Sequence, residues 1–168
     1  MRCTVLLLVI ILVCLPFQSK AEEETITYRT VPGLKGLITC PQSVPPYSLS
    51  ESRDSSGKAL RQCRYNFGSV AVIVSTYRKP QYAQALKDIL GHYRASGYSM
   101  EDGYASAVLG TTYRTYSSRD SANYETIWSL SGSHHDYIVW ASYRLPTHKQ
   151  FIDDIYRKFL VMIRDQQG

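Results

Sequence analysis

Apolar and polar positions along the chain follow two periods, and the switches between them mark the elements. Thr25 to Thr30 alternates β-branched with polar residues and predicts a short strand, which Val31-Pro32-Gly33 breaks. Leu37 to Cys40 predicts a second short strand, and Leu60 to Phe67 a third that ends at Gly68. From Ser69 to Arg78 the run is β-branched and apolar on both faces, the pattern of a central buried strand. The period then becomes helical. Pro80 suits a first turn, Tyr82, Leu86, Ile89, Leu90 and Tyr93 recur on one side, and Gly97 offers a stop. Gln81, Gln84, Lys87, Asp88 and Arg94 form the polar side and are expected to be ordinary solvated surface. Four β-rich runs follow, Tyr104–Leu109, Thr111–Ser117, Asn123–Ser131 and Asp136–Arg144, separated by turn residues as in an antiparallel meander. A last helix begins at Thr147 and Gln150 in capping-box spacing. It places Phe151, Ile152, Ile155, Phe159, Met162 and Ile163 on one side, with Asp153–Arg157 and Asp154–Lys158 paired at i,i+4 on the other.

The two strand-to-helix junctions resemble each other. At an offset of 66 residues Tyr77-Arg78-Lys79-Pro80 falls on Tyr143-Arg144-Leu145-Pro146, and six of the thirteen positions from Tyr77 to Ile89 are identical. The reading is a duplicated unit of antiparallel strands followed by a helix, each helix burying one sheet face. The fold class expected is α+β, an antiparallel sheet carrying two amphipathic helices. In outline this resembles small exported or thylakoid domains of the PsbP/Mog1 type. No residue motif of that family is matched, so the resemblance implies an arrangement of layers and neither a function nor a site.

The first 21 residues read as an export signal: Arg2 is the positive start, Val5 to Phe17 the apolar stretch, and Ser19-Lys20-Ala21 a cleavage site, which leaves residues 22–168 as one domain. The apolar stretch is short for a membrane span and holds Pro16, so no transmembrane segment is expected in the mature chain. An uncleaved anchor or a lipid on Cys14 are the alternatives, and Val13 ahead of Cys14 disfavours the second. With Cys3 and Cys14 in the leader, Cys40 and Cys63 remain as an even pair, and in an oxidising compartment such a pair reads as a disulfide. Pro41, Pro45, Pro46 and the polar stretch Ser48–Lys58 between them are expected to be a loop that needs this tie. The destination is the periplasm or the extracellular space.

Charge removes some function classes. Loss of Arg2 and Lys20 takes the formal net charge from +5 to +3, basic residues are interleaved with acids, and no nucleic-acid footprint results. No phosphate loop, dinucleotide fingerprint, nucleophile elbow or H-E-x-x-H run occurs, and no cofactor is expected. Tyrosine is unusually abundant, 14 residues, many mixed with arginine in the second half. Tyr113, Arg114, Tyr116, Tyr143, Arg144 and Arg78 are therefore candidate contact residues for an envelope or extracellular protein or a glycan. Arg78 and Arg144, at equivalent junctions, are candidates for jointly holding an anion. His134-His135-Asp136 is the one cluster with metal-ligating chemistry, and with Ser133 it offers the residue types of a hydrolase. The reading that follows is a non-enzymatic binding protein, with a small hydrolase or metal-dependent enzyme using His134, His135 and Asp136 as the alternative.

Overall fold

The computed structural model describes residues 36–54, 58–100, 112–120, 122–144 and 149–166. The expected leader, the strand over Thr25–Thr30 and the run Tyr104–Leu109 lie outside them. In chain order the strands are β1 (Ser43–Val44), β2 (Tyr47–Asp54), β3 (Arg61–Phe67), β4 (Val70–Arg78), β5 (Ser99–Met100), β6 (Thr112–Ser117), β7 (Tyr124–Ser131) and β8 (His135–Tyr143). Helix α1 (Lys79–Ser96) follows β4, and α2 (Lys149–Asp165) follows β8. All pairings are antiparallel, in the order β1-β2-β3-β4-β8-β7-β6-β5, which makes this an α+β fold. None of the described helices is long and apolar enough to cross a membrane.

Two sequence expectations need correction. Leu37 to Cys40 is not a strand: its backbone is irregular, anchored where the Tyr137 hydroxyl donates to Gly36 O at 2.6 Å and where Ile38 is buried. The polar stretch after Pro46 is not a loop, because Tyr47 to Asp54 pairs with β3 through a register shift between Leu49 and Glu51. Its serines and charges read as loop, yet an antiparallel strand with one solvated face has the same composition once Tyr47 fills the inner face. The disulfide is present, with Cys40 and Cys63 Cα atoms 5.5 Å apart, and it ties the irregular segment to β3.

Facing residues in the register fix which side of the sheet each helix covers. Val72, Val74, Trp128, Leu130, Tyr137, Val139 and Ala141 share a face and a core with Ile155, Phe159, Leu160 and Ile163 of α2. On the other face Tyr77, Ile127 and Ile138 meet Tyr82, Leu86, Leu90 and Tyr93 of α1. The helices thus lie on opposite faces and the sheet is the middle of three layers.

This bears on the expected duplication. Each half runs four strands and then a helix, but the halves are mirrored in strand order across the β4–β8 pair, reversed in strand direction and opposite in the face their helix covers. Reversing all three directions at once is an inversion, which no rotation performs. The 66-residue correspondence therefore describes two similar strand exits, in which Tyr77 and Tyr143 each face the helix that follows, and the sheet gives no support to a repeated unit of one hand.

Two tyrosines of the α2-side core, Tyr47 and Tyr65, are of consequence for pH, and burial leads in raising both. The Tyr65 side chain is fully buried, its hydroxyl has no hydrogen-bond partner among the described residues, and burial pushes its pKa up to about 12. A folded pKa raised above that of the unfolded chain gives stability that is complete below about pH 10 and lost as pH rises toward 12. Urea unfolding at pH 8, 10 and 11 is expected to show this decline, and Tyr65→Phe should lessen it without loss at pH 8, Tyr47 supplying part of the remainder. An equally steep decline in Tyr65→Phe would assign it to other groups.

Candidate functional site

The site is built around the end of α1. Arg78 precedes the helix with extended backbone, Pro80 stands in its first turn, and Gly97 closes it in the left-handed region at φ 72°. Gly97 N–H donates to Arg94 O at 3.4 Å and Tyr98 N–H to Tyr93 O at 3.1 Å, the bond pair of a Schellman closure. The left-handed backbone at φ 72° calls for glycine, and the exposed Arg119 guanidinium lies across it. The closure brings Tyr93 and Tyr98 together, ring centroids 5.2 Å apart and edge to face.

Both hydroxyls then converge on one carboxylate. Tyr93 donates to Glu125 Oε2, Tyr98 donates to Oε1 at 3.4 Å, and Trp140 Nε1 reaches Glu125 Oε2 at 3.0 Å and the Tyr93 hydroxyl oxygen at 2.7 Å. Glu125 is half-buried on β7, Trp140 comes from β8, and Tyr116 of β6 stacks flat on Tyr93 at 4.3 Å. Burial first, and the Glu125 carboxylate second, hold the Tyr93 hydroxyl protonated far above the ordinary phenol range. The same two causes raise Tyr98. Three neutral donors thus orient an acid that has no Lys or Arg partner among the described residues.

This knot forms one end of an open groove of about 510 Å³ between α1 and the sheet. Its apolar lining is Ile73, Ile89 and Ile138 with the rings of Tyr77, Tyr93 and Trp140. Polar groups enter from Gln62 and Ser75, bonded to each other at 3.1 Å, and from Asp88, His92 and Glu125. Asp88 accepts from Lys58 and, at 2.6 Å, from Gln84, and the Lys58 bond leads in holding its carboxyl below the usual range. Asp88 is exposed, as expected of the polar side of α1, and at the same time borders the groove.

The residues singled out from the sequence are scattered. Tyr116 and Tyr143 are buried, the first under Tyr93 and the second bonded to Thr126 Oγ1 at 2.8 Å, so neither ring forms an exposed contact surface. Tyr113 and Arg114 stand on β6 opposite Trp128 and Ile127, and their side chains lie outside the described residues. Arg78 and Arg144 are exposed but do not meet. Arg78 pairs with His135 at the start of β8, and Arg144 follows the end of that nine-residue strand, roughly 27–30 Å away. The joint anion site is thereby corrected.

His134, His135 and Asp136 do not assemble either. His134 is exposed in the β7–β8 turn, while His135 and Asp136 alternate along β8 and leave it on opposite faces. Asp136 is buried and held by Ser131 Oγ at 2.8 Å and Lys79 Nζ at 3.4 Å, so its carboxylate anchors the hairpin to α1. Among the described residues no three His, Cys, Asp or Glu side chains gather in metal-binding arrangement.

Sequence reasoning missed Glu125, Trp140, His92 and Gln62. The one local signal was Glu125, an acid inside a β-rich run. Its partners come from α1, β8 and the segment after Gly97, which only the folded register brings near. No protein-family profile, curated protein or solved structure matches the chain, so the outline likeness to PsbP/Mog1 domains brings no site with it.

Proposed function

We propose that the chain is an exported, disulfide-tied binding protein, residues 22–168 after removal of a leader ending at Ala21, and that its site is the groove between α1 and the sheet. The observation that carries this reading is the groove itself. About 510 Å³ of concave, mainly apolar space with a few converging polar groups is the usual form of a small-molecule site. The oriented carboxylate at its end adds support, since a fold needs no such acid for packing alone. Export is supported by the disulfide, which belongs to oxidising compartments, and by the leader pattern. The envelope or extracellular protein or glycan expected from the tyrosine-rich strands gives way to a small organic ligand, because Tyr116 and Tyr143 are interior.

The test is thermal unfolding of the mature protein across a library of small organic ligands, with Gln62→Trp as the filled-groove variant. A true ligand at a hundredfold its Kd should add about 2.7 kcal/mol to wild-type stability and little to the variant. If no compound stabilises the wild type, or if every compound that does so acts equally on Gln62→Trp, the groove is not the site.

A further inference from the structure

We infer that the groove takes an amphipathic organic cation, an ammonium head joined to an apolar body, with the head at Glu125. The inference rests on the binding reading above and adds the chemistry of the ligand. Among the described residues no lysine or arginine lines the groove, although the mature chain carries more basic than acidic side chains. Its two carboxylates differ. The charge of Asp88 is met by Lys58 at the rim. That of Glu125 is oriented by Tyr93, Tyr98 and Trp140, all neutral donors, and these hydrogen bonds fix the carboxylate without cancelling its charge. A half-buried anion with oriented oxygens and no counter-ion among the described residues gains most when a cation arrives, because the surrounding low dielectric strengthens the attraction.

The Tyr93 and Trp140 rings turn their O–H and N–H edges toward Glu125, so the carboxylate itself supplies the attraction for the head group. Beyond them Ile73, Ile89 and Ile138 offer the apolar bed on which a hydrocarbon or aromatic body would lie. An anionic ligand would meet Glu125 directly. A neutral one would leave its charge unanswered.

The probes are hexyltrimethylammonium, hexyl sulfate and hexyl glucoside, each well below its micelle concentration. The readout is quenching of indole fluorescence, with Trp140→Phe identifying the groove signal against buried Trp128. The cation is expected to bind at least tenfold more tightly than either of the others. Glu125→Gln should remove that preference, and Asp88→Asn, an exposed change that leaves the fold intact, should reduce it two- to threefold. If all three probes quench Trp140 with similar affinity, the groove reading stands and the cation inference is overturned. If none quenches it, both fall. A cation preference that appears only in Arg114→Gln would show that β6 already supplies the counter-charge, and the inference for the native chain would be wrong.

Discussion

Phe159→Ala should lower the unfolding free energy by about 4 kcal/mol, within the 3–5 kcal/mol seen when a buried phenylalanine is truncated. The ring is fully buried and sits between two tyrosines, edge to face with Tyr47 at 5.4 Å and tilted against Tyr65 at 5.2 Å. Each such pair adds to the area term. Removing the ring leaves two large rigid side chains facing a void that neither can close by changing rotamer. Because Tyr47 belongs to β2 and Tyr65 to β3, the change also detaches α2 from the half of the sheet that precedes α1. Urea unfolding beside Val161→Ala measures this: Val161, two residues along α2, is half exposed and its loss should stay within about 0.5 kcal/mol. Similar losses in the two variants would mean that α2 does not pack through Phe159.

The second large effect is expected from the disulfide. Replacing both Cys40 and Cys63 with alanine should cost about 3 kcal/mol, the chain-entropy value for a closed loop of this size, the partners being 23 positions apart in sequence. What the bridge restrains is visible on the Cys40 side. Among the described residues that segment has no strand partner, and it is otherwise held by the buried Ile38, by the Tyr137–Gly36 bond, by Arg61 Nη1 donating to Ile38 O at 3.3 Å and by Thr39 N–H donating to Gln166 Oε1 at 2.5 Å. Cys63 itself is wholly buried, so loss of its sulfur also thins the core near α2. Guanidinium unfolding of the oxidised, reduced and double-alanine proteins gives the measurement. Midpoints that agree across all three would show that Ile38 and the hydrogen bonds suffice.

Much of the scaffold was legible because it obeys one period at a time. The β-branched run of β4, the hairpin β7–β8 and both helices announce themselves by spacing, and Gly97 stops α1 where the pattern ends. β2 was not legible, since only its inner face is apolar and serine fills much of the rest. Tyrosine misled for a related reason. A strand residue with a polar tip reads as a rim contact, but Tyr116 and Tyr143 find their hydroxyl partners or ring stacks inside the protein. The groove was beyond reach because none of its members is unusual in its own segment. Glu125 gains meaning only when Tyr93, Tyr98 and Trp140 arrive from other elements, and that arrival depends on antiparallel register between distant segments.

The crossing of the two helices to opposite faces also governs how the chain can fold. α1 packs on Tyr77 of the first four strands and on Tyr116, Ile127 and Ile138 of the last four, while α2 packs on Trp128, Tyr137 and Val139 of the last four and on Tyr47 and Tyr65 of the first. Each helix therefore draws its full bed from both halves. The central β4–β8 ladder, made of residues far apart in the chain, must form before either helix finds its full bed, so its closure entropy is met early and the rate is set by topology. From this topology the protein is expected to unfold as one cooperative unit, in which a lesion on either face is felt by the whole.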